Sequence, residues 1–182
     1  EAVATAEAVA VETAAETEKH ANRLARVLDL RAVSLIEDGV HAEAAPLLSE
    51  ALELCPGLRP LWLHRALART GLELYEDALA DLAQCVEMDS SDADVHFLRA
   101  KLSLLAGNLE GARRATDQAL SLRADHPEGR ELRKTMSECA DVYNDEATKL
   151  ILLGSPADAV ANLTHAMSLR PNDPHLFMRR GA

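Results

Sequence analysis

The side chains best suited to hold a metal ion or to move a proton near neutral pH are seven histidines, His20, His41, His64, His96, His126, His165 and His175. A metal site on a helix needs two of them three to five residues apart, so that both rings leave one face. No two lie that close, and separate surface histidines are expected. The three cysteines, Cys55, Cys85 and Cys139, make no C-x-x-C pair and are odd in number. Neither a zinc ribbon nor a disulfide framework is expected, and a reducing compartment is. No G-x-S-x-G elbow, Walker loop or dinucleotide fingerprint is present. The carboxylate pairs Asp92/Asp94 and Asp141/Asp145 are expected at helix starts or on exposed helix. Negative charge at a helix N-terminus is stabilising without any catalytic role. The expectation is of a chain that is not an enzyme and needs no cofactor or metal.

The remaining chemistry is charge. The 182 residues carry a net charge of −11, which argues against nucleic acid, whose phosphates call for a basic stripe. One basic cluster stands out: Arg113, Arg114, Arg123, Arg130, Arg133 and Lys134, interleaved with Glu110, Asp117, Asp125, Glu128 and Glu131. Opposite charges one helical turn apart make a solvated helix face the first expectation, and an interaction patch the second. No apolar run approaches the ~18 residues of a membrane span. Residues 1–11 lack the basic start of a secretory signal.

A recurring arginine reveals the elements that position these groups. Arg31-Ala32, Arg65-Ala66 and Arg99-Ala100 are spaced 34 residues apart, and Arg180-Gly181 is a degenerate copy. The same period organises a second helix: Ala44, Ala78, Ala112 and Ala159 each begin a pattern. Leu48, Leu82, Thr116 and Leu163 follow at four residues, and Ala51, Cys85, Ala119 and Ala166 at seven. Leu54, Met88, Leu122 and Leu169 follow at ten. Spacings of three, four and seven make one helix face. The first helix of each hairpin carries Ala32, Ala66, Ala100 or Ala147 and is closed by Gly39, Gly107 or Gly154. In the second hairpin Gly71 comes two residues early, and Tyr75 is expected to fill the turn. A hairpin cannot bury its apolar face alone, so neighbours must stack. The recurring arginine should face a second helix, and Arg65 or Arg99 is expected to reach Asp81 with its stem packed on Leu82. The alternative is an arginine whose head stays in water.

Two departures punctuate the repeat. Thirteen extra residues, PEGRELRKTMSEC at 127–139, contain no strong helix stop after Gly129. Glu128 to Leu153 should therefore form one long helix. Sliding the sequence by 115 residues lays Gly39 on Gly154, Pro56 on Pro171 and Trp62 on Phe177, so residues 10–38 are expected to form a second extended helix. The Ala- and Glu-rich residues 1–24 are expected to be a helix or leader. A chain that starts with Glu and ends inside a helix, with Leu176 and Phe177 uncapped, is expected to be a piece of a longer array.

The 34-residue period, Trp62 at the start of a unit and the Ala, Leu, Ala, Pro columns resemble tetratricopeptide repeats. The resemblance implies an all-α solenoid of antiparallel helical hairpins forming a right-handed superhelix, with one or two extended entry helices. It places three repeats in residues 25–126, the insertion at 127–139, a fourth repeat at 140–173 and the first helix of a fifth at 174–182. It also implies that first helices line a concave partner-binding groove. The groove residues would be Leu63, His64, Leu67, Phe97, Leu98, Lys101, Leu104, Leu105, Asn144 and Thr148, with Asp29, Leu30, Val33 and Ile36 preceding them. So apolar a groove would receive a helix or extended segment, or else pack within the chain. The Lys, Asn and Arg with which co-chaperone repeats grip a carboxylate are replaced here by Asp29, Val33, His64, Asp94 and Leu98. This argues against acidic chaperone tails in that groove.

A narrower resemblance rests on DADVHFLRAKL, HPEGRELRKTM and NDPHLFMRRG in this order. It is to the tetratricopeptide repeat protein sixteen group, which is associated with ciliated and flagellated cells. It implies a non-catalytic scaffold of the cytoplasm, in a cilium or flagellum axoneme, with axonemal proteins or tubulin as partners. A soluble adaptor that binds a helical or extended peptide is the alternative. Were microtubules touched, the Arg113–Lys134 cluster would be the surface to examine first.

Overall fold

The computed structural model describes the backbone of residues 2–181 and the side chains of residues 15–180. Among these residues every regular element is an α-helix: α1 (Ala2–Glu37), α2 (His41–Leu54), α3 (Arg59–Gly71), α4 (Tyr75–Met88), α5 (Ala93–Leu105), α6 (Leu109–Leu122), α7 (Pro127–Leu152), α8 (Pro156–Leu169) and α9 (Pro174–Gly181). The chain divides into two compact units, Glu1–Ser90 and Ser91–Ala182, a boundary that falls inside the residues the sequence reads as a run of repeats.

Each unit is built of antiparallel hairpins: α1/α2 and α3/α4 in the first, α5/α6 and α7/α8 in the second, with α9 packed on α8. The repeat columns explain the hairpins. Ala44, Ala78, Ala112 and Ala159, with Ala51, Cys85, Ala119 and Ala166, are fully or almost fully buried, as are Ala32, Ala66, Ala100 and Ala147. Small residues at these points let helix axes approach within about 8–10 Å. Leu48, Leu82 and Leu163 are buried one turn further on, each supplying roughly 1.5–3 kcal/mol of apolar burial. Thr116 takes the same column in α6, buried, and its hydroxyl donates to the Ala112 carbonyl at 2.9 Å. A polar atom is thus admitted because its hydrogen bond is made on its own helix. The column at ten residues differs: Leu169 is buried, whereas Met88 and Leu122 are exposed.

All four hairpin turns close in one way. The amide three residues past the end of the first helix returns to the carbonyl five residues back: Val40 to Leu35, Leu74 to Arg69, Asn108 to Ser103 and Ser155 to Leu150. This turn needs a residue in the left-handed region. Gly39, Gly107 and Gly154 supply it at φ of 75–79°, but in the second hairpin Glu73 takes it at φ 60°. The expectation for Gly71 and Tyr75 is thereby corrected. Gly71 ends α3 for a different reason: a Cβ there would meet the His41 ring at 2.1 Å. Its missing side chain is the space in which α2 and α3 meet.

Both extended helices exist, α1 with 36 residues and α7 with 26. α7 starts with Pro127 at its first turn, and His126 caps it, Nδ1 accepting from the Gly129 amide at 3.1 Å. In α1, Ala25 and Ala32 enter the core of the first unit with Leu48, Leu52 and Leu61.

The recurring arginine has a definite role in one copy. Arg65 grips Asp81 with two parallel bonds, Nε to Oδ2 at 3.0 Å and a terminal nitrogen to Oδ1 at 2.7 Å. Arg69 adds a third at 2.6 Å. Asp81 is 2 % exposed, so its charge is held by two guanidinium groups in place of water. Arg99 makes no such bond, because the column of Asp81 holds Ala115 in the next hairpin.

Candidate functional site

The groove residues read from the sequence fall on α3 in the first unit and on α5 and α7 in the second. On α3, Leu63 is half-buried and Leu67 exposed. His64 is tied to α1, its Nδ1 lying 2.6 Å from Asp29 Oδ1. Leu30 is 71 % exposed on α1. On α5, Leu98 is half-buried and Leu105 exposed, while Phe97 stacks at a tilt on the His126 ring with centroids 4.9 Å apart. Lys101 Nζ sits 5.7 Å from the Phe97 centroid. Leu104 is not part of an open surface: it packs against the cluster of Ala112, Met136, Ala140 and Leu169. It turns inward because α7 lies against α6 on that side.

Asn144 and Thr148 on α7 are engaged by the chain itself. Arg179 of α9 donates to Asn144 Oδ1 and to Thr148 Oγ1, both at 2.8 Å. Asp29 with His64 and Asn144 with Arg179 are the same two positions, 115 residues apart. The pairs α1–α3 and α7–α9 are thus each joined by a polar bridge at the same place.

Two of the histidines depart from the surface expectation, whereas His20, His165 and His175 are exposed. His96 and His126 are buried. The Gly129 amide donates to His126 Nδ1, which puts the ring proton on Nε2, where it faces Asp94 Oδ1 at 3.1 Å. Arg123 also donates to that carboxylate. Among the described residues no three His, Cys, Asp or Glu converge as a metal site requires, and no helix is long and apolar enough to cross a membrane.

The basic cluster separates into two kinds. Arg114 lies beside Glu110, and Lys134 lies between Glu131 and Glu138, as a solvated helix face has them. Arg130 reaches the Asp125 carbonyl at 3.4 Å. Arg113 and Arg133 instead converge from α6 and α7 on one carboxylate, Asp117, at 3.1 and 2.7 Å. Arg113 also donates through Nε to the Ser168 carbonyl at the end of α8, at 3.1 Å. A third arginine, Arg170, caps α8 and reaches α7, donating to Ser137 and, at 2.6 Å from two nitrogens, to Asp141. Arg170 holds the Asp141 carboxyl below the usual carboxylate range through these hydrogen bonds, against a smaller opposing effect of burial. The sequence reading missed Arg170. Its signal was the slide of 115 residues, which sets Arg170 on Cys55 and Ser137 on Asn22. Cys55 and Asn22 are also bonded, sulfur to amide oxygen at 3.3 Å.

Comparison with known proteins agrees with this fold. Residues 69–135 match the family described as tetratricopeptide repeat. Over 164 residues the chain is 30 % identical to human tetratricopeptide repeat protein 16, a match covering 90 % of this chain and 19 % of that protein. The chain spans about a fifth of the length of the curated relatives it matches. Among solved structures, the first TPR of Spaghetti (RPAP3) bound to the HSP90 peptide SRMEEVD superposes with a TM-score of 0.58 at 24 % identity, over 62 % of this chain and 90 % of that one. The Yersinia enterocolitica type III secretion chaperone SycD, in complex with a peptide of the translocator YopD, superposes with 0.54 at 22 %, over 60 % and 84 %. At these identities the likeness is one of fold.

Proposed function

We propose that the chain, whose residues 69–135 match the tetratricopeptide repeat family, is a non-catalytic scaffold for protein–protein contacts, one segment of a longer array in a ciliary or axonemal assembly. The repeats would be residues 25–58, 59–92, 93–126 and 140–173, with further repeats of the same protein among the neighbours. One observation carries the reading. First helices whose small residues are fully buried expose large apolar side chains elsewhere: Leu30 on α1, Leu67 on α3 and Leu105 on α5. Within each unit these exposed leucines, beside Leu63 in the first and Leu98 and Lys101 in the second, suit a partner segment laid on that unit's first helices. The ciliary part rests only on the resemblance of DADVHFLRAKL, HPEGRELRKTM and NDPHLFMRRG to the tetratricopeptide repeat protein sixteen group. Axonemal proteins or tubulin are the partners it implies.

The bound peptides named for the RPAP3 and SycD structures support a second reading, a soluble adaptor with a single helical or extended peptide in the same groove. One experiment separates the two. A photo-reactive amino acid at Leu67 or Leu105 of the full-length protein is cross-linked in ciliated-cell extract and read by mass spectrometry. Cross-links to several axonemal proteins or to tubulin are expected. One soluble partner would favour the adaptor, and cross-links from neither position would overturn both.

A further inference from the structure

Three arginines of the second unit form a closed circuit. Arg113 runs from α6 to the end of α8, Arg133 from α7 to Asp117 on α6, and Arg170 from the end of α8 to Ser137 and Asp141 on α7. A hollow of about 400 Å³ opens inside this triangle, floored by the buried Met136 and Leu169. A second hollow of about 300 Å³ adjoins it, lined by Leu120, Ala124 and Arg130 and sharing Asp117 and Arg133 with the first. Both lie where the thirteen-residue insertion lengthens α7, so a plain repeat would have neither.

We propose that this seam between α6 and α7 is a second binding surface, built for an acidic extended peptide that sets a carboxylate between Arg113 and Arg133 and an apolar side chain over Met136 and Leu169. Asp117 already shows the clamp at work: its exposed carboxylate bridges the two guanidinium groups and stands where a ligand carboxylate would bind. Donors remain for a ligand. Arg113 uses Nε and one terminal nitrogen, and Arg133 one terminal nitrogen, leaving N–H groups on both without a protein partner among the described residues. Arg170 spends all three of its nitrogens on Ser137 and Asp141 and contributes chiefly charge. Two hollows in succession fit neighbouring side chains of one segment better than a single small anion. The attraction acts only at short range, because the whole chain is acidic and charges are screened beyond about 8 Å in physiological salt. This surface is separate from the groove of the first helices and stands or falls without it.

The test is fluorescence anisotropy on the whole chain with a labelled hexapeptide, Glu-Leu-Glu-Glu-Leu-Glu, and its glutamine counterpart. The acidic peptide should bind and the glutamine peptide should not. Arg133→Gln should weaken binding about tenfold, the loss of a charge-assisted contact. Asp117→Asn should tighten it severalfold, since the internal competitor loses its charge; a gain of affinity cannot come from misfolding. Lys149→Gln, at the far end of α7, should change nothing. Failure of the acidic peptide to bind, equal binding of the glutamine peptide, or an unchanged affinity in Asp117→Asn would overturn the proposal. Displacement by an equal concentration of inorganic phosphate would also overturn it, making the site one for small anions.

Discussion

Helices α1, α2 and α3 of the first unit recur 115 residues later as α7, α8 and α9 of the second, with a shared skeleton and different polar joints. Ala25, Ala32, Ala44, Leu48 and Ala51 are buried in one, and Ala140, Ala147, Ala159, Leu163 and Ala166 in the other. At the joints, Asp29 and His64 become Asn144 and Arg179. The neutral Cys55–Asn22 contact becomes the charged junction of Arg170 with Ser137 and Asp141. The Trp62 indole donates to the Pro56 carbonyl at 2.8 Å, whereas Phe177 at the same place has no donor and is 51 % exposed. The packing columns set where helices meet, and any pair able to satisfy itself can then occupy the joint. A hairpin tolerates such exchange because one joint contributes little beside a buried leucine.

The largest break in the comparison is at Asp81, whose paired counterpart the second unit lacks. Asp81→Ala leaves Arg65 and Arg69 half-buried and uncompensated, and should cost about 3–5 kcal/mol in urea unfolding. Hydrogen exchange should rise in α3 and α4 and stay unchanged in α7 and α8. Next comes the shared column: Leu48→Ala and Leu163→Ala should each cost about 2–5 kcal/mol, close to one another if the two skeletons are equivalent. A difference above about 2 kcal/mol between them, measured by urea unfolding, would show that the equivalence stops at geometry.

The turns sharpen the comparison with opposite signs. Glu73→Gly should stabilise by about 0.5–1 kcal/mol by relieving a left-handed glutamate, and Gly154→Ala should destabilise by about 1 kcal/mol, both read as shifts in melting temperature. The smallest effect is the titration of Asp141, an exposed group. Its carboxyl is held below the ordinary range in the fold. The stability it contributes is therefore present above its unfolded value and lost as pH falls through the folded one. Wild type should exceed Asp141→Asn at pH 7 and the gap should close in acid. A gap that persists unchanged into acid would assign the junction to Ser137 alone.

The helices, their pairing and both long helices were legible because small residues at a fixed period leave only one way to pack. The Arg65–Asp81 contact was legible for the same reason: arginine and aspartate stand in columns that must face each other. Leu104 and the buried His126 were not. Their burial depends on α7 lying against α6 and on His126 capping α7, which no single helix pattern encodes. Glu73 was missed because a glycine two residues away offered a simpler stop, though its real constraint is the His41 ring. The cluster containing Arg113 and Arg133 was visible as charge, but its division into a solvated face and a clamp required Arg170, more than thirty residues further along.

The circuit of Arg113, Arg133 and Arg170 also has a mechanical meaning. Plain hairpins joined only by their apolar faces can peel one after another when the chain is pulled from its end. Here α8 is tied near its C-terminal end to α6 through the Ser168 carbonyl and to α7 through Arg170. Tension arriving through α9 therefore loads three helices together, and α8 cannot be drawn away until two polar ties have given. Drawn from that side, the second unit gives way only when both ties have broken.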